Sequence, residues 1–130
     1  MKVWVWIVYY LGEMKYLGVD FGLRRVGLAI SEGELASPWK TVEVDKLSGE
    51  AANFDKVVIG VPEGKTGKVV LKVVKSLRRI GVDVIEADET LSSQKAITQM
   101  IELGIPKEKR KVNDAHSAAI ILQNYLDEQT

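Results

Sequence analysis

Apolar positions along the chain switch between strand-like and helix-like spacing. Over residues 16–31, YLGVDFGLRRVGLAIS, two short runs rich in aliphatic and β-branched side chains, 16–19 and 26–30, flank a polar middle that carries glycine. That pattern predicts a β-hairpin with a somewhat long turn. Residues 33–37 read as a turn, and 39–44 as a third strand at an edge, with Trp39, Val42 and Val44 only partly in alternation. Residues 46–54 are a short helix candidate interrupted by Gly49. The run 56–61 is apolar up to Pro62, as in a strand buried on both faces. After a loop over 62–67, Val69, Val70, Val73, Val74, Leu77 and Ile80 share one face of a helix over 68–80, which Gly81 ends. Residues 82–87 predict a further buried strand. Ser92 or Ser93 can cap a helix reaching Leu103, with Ala96, Ile97, Met100 and Ile101 inward and Gly104 as its stop. Asn113 can cap a last helix over 114–127, whose apolar face is Ala115, Ala118, Ala119, Leu122, Tyr125 and Leu126.

Three strands with short connections make an antiparallel meander. Later strands alternate with helices and should run parallel to one another. The expected fold is α/β: a mixed sheet with helices on both faces. No repeat or linker interrupts residues 14–130, which read as one domain. Residues 1–13 stand apart. MKVWVWIVYYL is almost continuously apolar, too short to span a bilayer and without a signal-peptide cleavage site. It reads as a dispensable extension, from an upstream start or as an added edge strand or cover for an apolar surface.

Composition narrows the chemistry. Lysine plus arginine equals aspartate plus glutamate, 18 of each, so net charge says nothing about partners. The absence of cysteine excludes disulfides, thiolate metal sites and cysteine nucleophiles. A single histidine, His116, makes a histidine-rich metal site or a Ser-His-Asp triad unpromising. The composition fits a soluble, cytoplasmic protein with no membrane contact. Charge is segregated locally: residues 65–79 hold six basic and no acidic residues, and residues 83–89 four acidic and no basic ones.

Three acidic positions fall at element ends: Asp20 after the first strand, Asp88 or Glu89 after the last, and Asp114 in the first turn of the last helix. Each has an ordinary explanation. Asp20 can cap a turn, Asp88 and Glu89 can lead into the next helix, and Asp114 can complement a helix N-terminus. Carboxylates converging from separate elements would instead form an all-oxygen site suited to Mg²⁺ or Mn²⁺. Two such ions ~3.5–4 Å apart can drive phosphodiester cleavage.

Five stretches in order carry a resemblance: LGVDFGLRRVGLAIS, ASPWKTV, VVIGVP with its glycine loop, ADETLSS, and KVNDAHSAAIILQNYLD. Together they resemble the motifs of the YqgF/RuvX family of the RNase H-like superfamily, relatives of Holliday junction resolvases, over residues 14–127. The resemblance implies an RNase H-like fold, a five-stranded mixed sheet with residues 16–20 as its central strand. It implies a metal-dependent nuclease maturing the 5′ end of pre-16S rRNA, or a Holliday junction resolvase, acting on structured RNA or branched DNA as a monomer or homodimer. Carried over, the catalytic and metal-binding set is Asp20, Glu89 and Asp114 with Asp88 in reserve, holding two Mg²⁺ or Mn²⁺ ions.

Arg24, Arg25 and Lys111 match basic positions of the family. With Lys65, Lys68, Lys107, Lys109 and Arg110 they make the expected nucleic-acid surface. Thr90 stands where the family usually has arginine and Leu23 where it has threonine, and the loop after Pro62 is short. A non-catalytic nucleic-acid-binding module therefore stays in view. A fragment of an actin-like ATPase, which opens with a similar hairpin, ranks lower because one domain and one glycine loop leave no second half to close a cleft.

Overall fold

A computed structural model describes residues 14–22, 24–88, 98, 101–104, 106 and 114–129, with Asp114 described by its backbone alone. The elements are β1 (Tyr16–Phe21), β2 (Arg25–Glu32), β3 (Leu35–Glu43), a 3₁₀ turn (Val44–Lys46), α1 (Leu47–Ala51), β4 (Lys56–Val61), α2 (Gly64–Arg79), β5 (Val84–Asp88) and α3 (Asp114–Glu128). The five strands form one sheet in the order β3-β2-β1-β4-β5, with β1 central as expected. β1 pairs antiparallel with β2 and parallel with β4; β2–β3 is antiparallel and β4–β5 parallel.

Alternation along β1 divides the molecule into two layers. Leu17, Val19 and Phe21 point to one face, where they pack with Val57, Ile59, Val70, Val74 and Leu77 of β4 and α2. Tyr16 belongs to the other face, with Ala29, Val58 and the α3 residues Ala118, Ile121, Leu122 and Leu126. That second face has a floor of small residues. A Cβ on Gly18 would stand 2.6 Å from the Ala118 carbonyl oxygen and 2.7 Å from the Leu122 Cβ, so only glycine lets α3 lie this close. The Tyr16 and Tyr125 rings meet at 6.0 Å. Burial raises both phenol pKa values above the usual 10; the neighbouring Tyr125 adds to the effect at Tyr16, and Asp83 adds to it at Tyr125.

Several boundaries differ from expectation. β3 begins at Leu35, not 39: a two-residue turn at Gly33–Glu34, with Gly33 at φ +62°, returns the chain at once. Pro38 is tolerated because β3 is an edge strand and the register slips there: Leu28 pairs with Lys40 and Ala29 with Pro38, leaving Trp39 as the extra residue of a bulge. The expected helix over 46–54 is a 3₁₀ turn followed by α1, with Gly49 inside it. α2 starts at Gly64 instead of 68, taking in most of the expected loop. Gly67 is buried in its first turns, where a side chain would collide with the Pro62 carbonyl.

Of the expected α2 stripe, Val70, Val74 and Leu77 are buried, while Val69 and Ile80 are exposed. The buried strand expected over 82–87 is Val84–Asp88 at the sheet edge, where Glu86 and Asp88 are exposed. Ile101, expected inward, is 51% exposed. Gly104 has φ +73°, suited to the helix stop expected there. Ala96, Ile97, Met100 and the Ser92/Ser93 cap lie outside the described residues, as do Asn113 and residues 1–13. No helix among the described residues is long and apolar enough to cross a membrane.

Candidate active site

Asp20 is the penultimate residue of β1, at the C-terminal end of the central strand, and only 8% exposed. Burying a carboxylate there is costly unless charge or hydrogen bonding compensates it. The local sequence makes room around it. Its register partner on β2 is Gly27. On β4 Val19 pairs with Ile59, so Asp20 falls level with Gly60. Both neighbouring strands thus place glycine beside this carboxylate. Asp20 shares the face of Gly18 and Tyr16, the face on which α3 packs.

α3 brings its N-terminus to the same level. Tyr16 meets Tyr125, and Gly18 lies under Ala118 and Leu122. Moving up β1 toward Asp20 therefore moves back along α3 toward Asp114, its first residue. The partial positive charge of a helix N-terminus favours an anion there. Within the following turn the Ser117 Oγ and His116 Nε2 are buried with no hydrogen-bond partner among the described residues. Sequence reasoning did not single out Ser117, since a serine in an alanine-rich helix gives no signal of burial.

Asp88 is less well placed. It ends β5, two strands from β1, in register with Val61. With neighbouring strands ~4.8 Å apart, that is about 10 Å across the sheet. Val61 packs with the α2-side core, whereas Ile85 and Ala87 pack with the α3-side one. Alternation thus turns Asp88 toward the face opposite Asp20. Among the described residues no group of three or more His, Cys, Asp or Glu side chains could hold a metal. Glu89 lies outside those residues.

Arg24 and Arg25 are exposed at the tip of the β1–β2 hairpin, where the Gly22 N–H donates to the Arg25 carbonyl at 3.0 Å. Lys65 and Lys68 are exposed on the first turns of α2, just past the C-terminal end of β4. The hairpin tip, the start of α2 and Asp20 therefore share one end of the sheet. Lys107, Lys109, Arg110 and Lys111 lie outside the described residues.

The chain has recognisable relatives. A family model described as RuvX, Holliday junction resolvase, matches residues 14–128. A protein of Syntrophus aciditrophicus named as a proposed pre-16S rRNA nuclease is 35% identical, over 88% of this chain and 89% of its own. Another of that name from Lactococcus lactis subsp. cremoris is 31% identical, over 87% of this chain and 94% of its own. Among solved structures, Thermus thermophilus RuvC in complex with a Holliday junction superimposes with TM-score 0.53 at 16% identity, covering 90% of this chain and 96% of that one. The fowlpox virus resolvase bound to junction DNA gives 0.56 at 15%, covering 89% and 99%. At such identities these neighbours speak for the fold, which is RNase H-like. With the model matched from residue 14 to residue 128, the chain belongs to the RuvX family of Holliday-junction-resolvase-like nucleases.

Proposed function

We propose that this nuclease is a divalent-metal-dependent endonuclease acting on structured nucleic acid, with the 5′ end of pre-16S rRNA as its substrate. The observation that carries the reading is Asp20: a nearly buried carboxylate at the end of the central strand, flanked by Gly27 and Gly60, level with the N-terminus of α3. A carboxylate kept in such a place, between two glycines, fits a hard cation better than a turn cap. Asp114 would contribute a second carboxylate from α3. Glu89, which follows Asp88 directly in the sequence, would contribute the third. Two Mg²⁺ or Mn²⁺ ions bound there would activate water and stabilise the leaving oxygen.

The protein's own share is to hold these oxygens in place and to grip the phosphate backbone. Asp20 sits on the most buried strand and so sets the position of the site. Arg24, Arg25, Lys65 and Lys68 offer exposed positive charge at the same end of the sheet, with the basic residues 107, 109, 110 and 111 as further candidates. Such contacts position a nucleic acid without reading its sequence. The relatives' names favour the rRNA substrate. The description of the family model favours a second reading, resolution of branched DNA.

Cleavage of a small-subunit rRNA precursor and of a four-way DNA junction by wild type and Asp20→Asn, each with Mg²⁺, Mn²⁺ or EDTA, tests both readings. The expected result is metal-dependent cleavage of the rRNA precursor by wild type and none by the variant. Junction cleavage alone would select the second reading. Activity that persists in EDTA, or equal activity of the two proteins, would end the metal mechanism.

A further inference from the structure

At the other end of the sheet, and on the other face, lies a groove of about 350 Å³ lined by Lys15, Ile30, Ser31, Trp39, Asn53 and Phe54. It is aromatic and open. Trp39, the bulge residue of β3, stands edge-on to Phe54 with centroids 5.9 Å apart and remains 40% exposed. The bulge is what aims Trp39 here, since an extra residue redirects side chains on an edge strand. Lys40 Nζ lies 4.1 Å from the Trp39 ring centroid and is held by Glu50 at 2.7 Å, which stiffens the rim. Lys15 forms the wall where the chain enters β1. Its N–H donates to Asp55 Oδ2 at 2.7 Å, and its carbonyl accepts from the Asp55 N–H at 2.9 Å.

We propose that this groove is the docking site of residues 1–13 of the same chain. The thirteen residues join the described structure at Met14, one residue from the groove wall. Their sequence, MKVWVWIVYYLGE, supplies two tryptophans, two tyrosines and five aliphatic residues but only two charges. Leaving that surface in water costs about 25 cal/mol per Å². Edge-to-face contacts with Trp39 and Phe54 suit its aromatic rings. Gly12 allows the reversal needed just before Met14, and a segment this long spans at most ~45 Å, ample to fold back. Pairing along the whole β3 edge is blocked by Pro38 and the bulge, which leaves side-chain burial in the groove as the mode of attachment. Lys15 and Asp20 are five positions apart, about 17 Å of strand, so the docked segment stays clear of the acidic site.

The chain has no cysteine, which makes the test direct. In the full-length protein, the pair Val5→Cys/Asn53→Cys should form an intramolecular disulfide about 10-fold or more faster than Val5→Cys/Glu63→Cys, whose second thiol lies at the opposite end of the sheet, as millimolar effective concentration at one site implies. In Asn53→Cys alone, adding Trp4→Ala and Trp6→Ala should speed maleimide labelling about 10-fold, the groove being uncovered. Equal disulfide rates, disulfide-linked dimers that place a second copy in the groove, or labelling unchanged by the tryptophan substitutions would each overturn the proposal. So would labelling that structured RNA suppresses and the tryptophans do not.

Discussion

Gly18 lies directly beneath Ala118: a Cβ on the glycine would stand 2.6 Å from the alanine's carbonyl oxygen. The contact is backbone against backbone, so no rotamer change can relieve a larger residue. It also fixes the height of α3 above β1, and with it the position of Asp114 relative to Asp20. Gly18→Ala should therefore destabilise the fold by about 1–3 kcal/mol, the usual cost of overpacking, and weaken metal binding as well. Urea unfolding followed by circular dichroism reads the first effect and metal titration the second. A variant as stable as wild type would show that α3 can lift freely.

The hairpin and the central strand were legible because two apolar runs around a glycine-bearing turn admit one local solution. Asp20 was legible because a carboxylate after Leu17 and Val19 breaks an apolar pattern. The start of α2 was not legible. Gly64 and Gly67 carry a loop signal, and Gly67 is helical because the Pro62 carbonyl leaves no space for a side chain, a tertiary fact. Nor could spacing reveal that β5 lies at an edge, since a run such as 82–87 suits a central strand equally well. The face that Asp88 takes depends on the strand's phase, which pairing with β4 fixes and sequence does not.

The hairpin tip should contribute charge and not sequence reading. Arg24 and Arg25 are both exposed there. Replacing both with alanine should reduce the slope of log affinity against log salt by about 2 in magnitude, roughly one per lost phosphate contact. Binding of rRNA precursor fragments at several salt concentrations measures it. An unchanged slope would remove the tip from the nucleic-acid surface.

The Tyr16–Tyr125 pair ties α3 to β1 at the end away from the site, and both phenols have pKa values raised mainly by burial. A raised folded pKa favours the protonated form, so the folded state keeps protons that the unfolded chain loses above pH 10. The pair's contribution is thus fully present below pH 10 and is lost as pH rises through the folded values. Stability should fall with increasing pH in that range. Tyr16→Phe/Tyr125→Phe should flatten the fall, as measured by urea midpoints from pH 9 upward. An equal slope in both proteins would assign the effect to other groups.

Asp88 and Glu89 are adjacent in the sequence, and the proposed site needs one of them. Asp88 pairs with Val61, whose side chain packs toward α2, and is exposed. Asp20 faces α3, on the side where Ile85 and Ala87 pack. A carboxylate from this edge can share ions with Asp20 only from the α3 face, which Asp88 does not take, so the proposed third ligand is Glu89. Glu89→Gln should then lower metal-dependent cleavage by about 10²-fold or more, the scale of removing one stabiliser of the transition state. Asp88→Asn, the same loss of charge one residue earlier, should leave cleavage and metal affinity close to wild type. Asp88→Asn should unfold at the same urea concentration as wild type, because Asp88 lies in neither core cluster. Steady-state cleavage rates and Mn²⁺ titration of the three proteins decide the matter. The reverse ranking would mean that β5 twists or bulges at its end and that Asp88 is the ligand. Equal loss in both would mean that the pair acts through its summed charge and not through one aimed carboxylate.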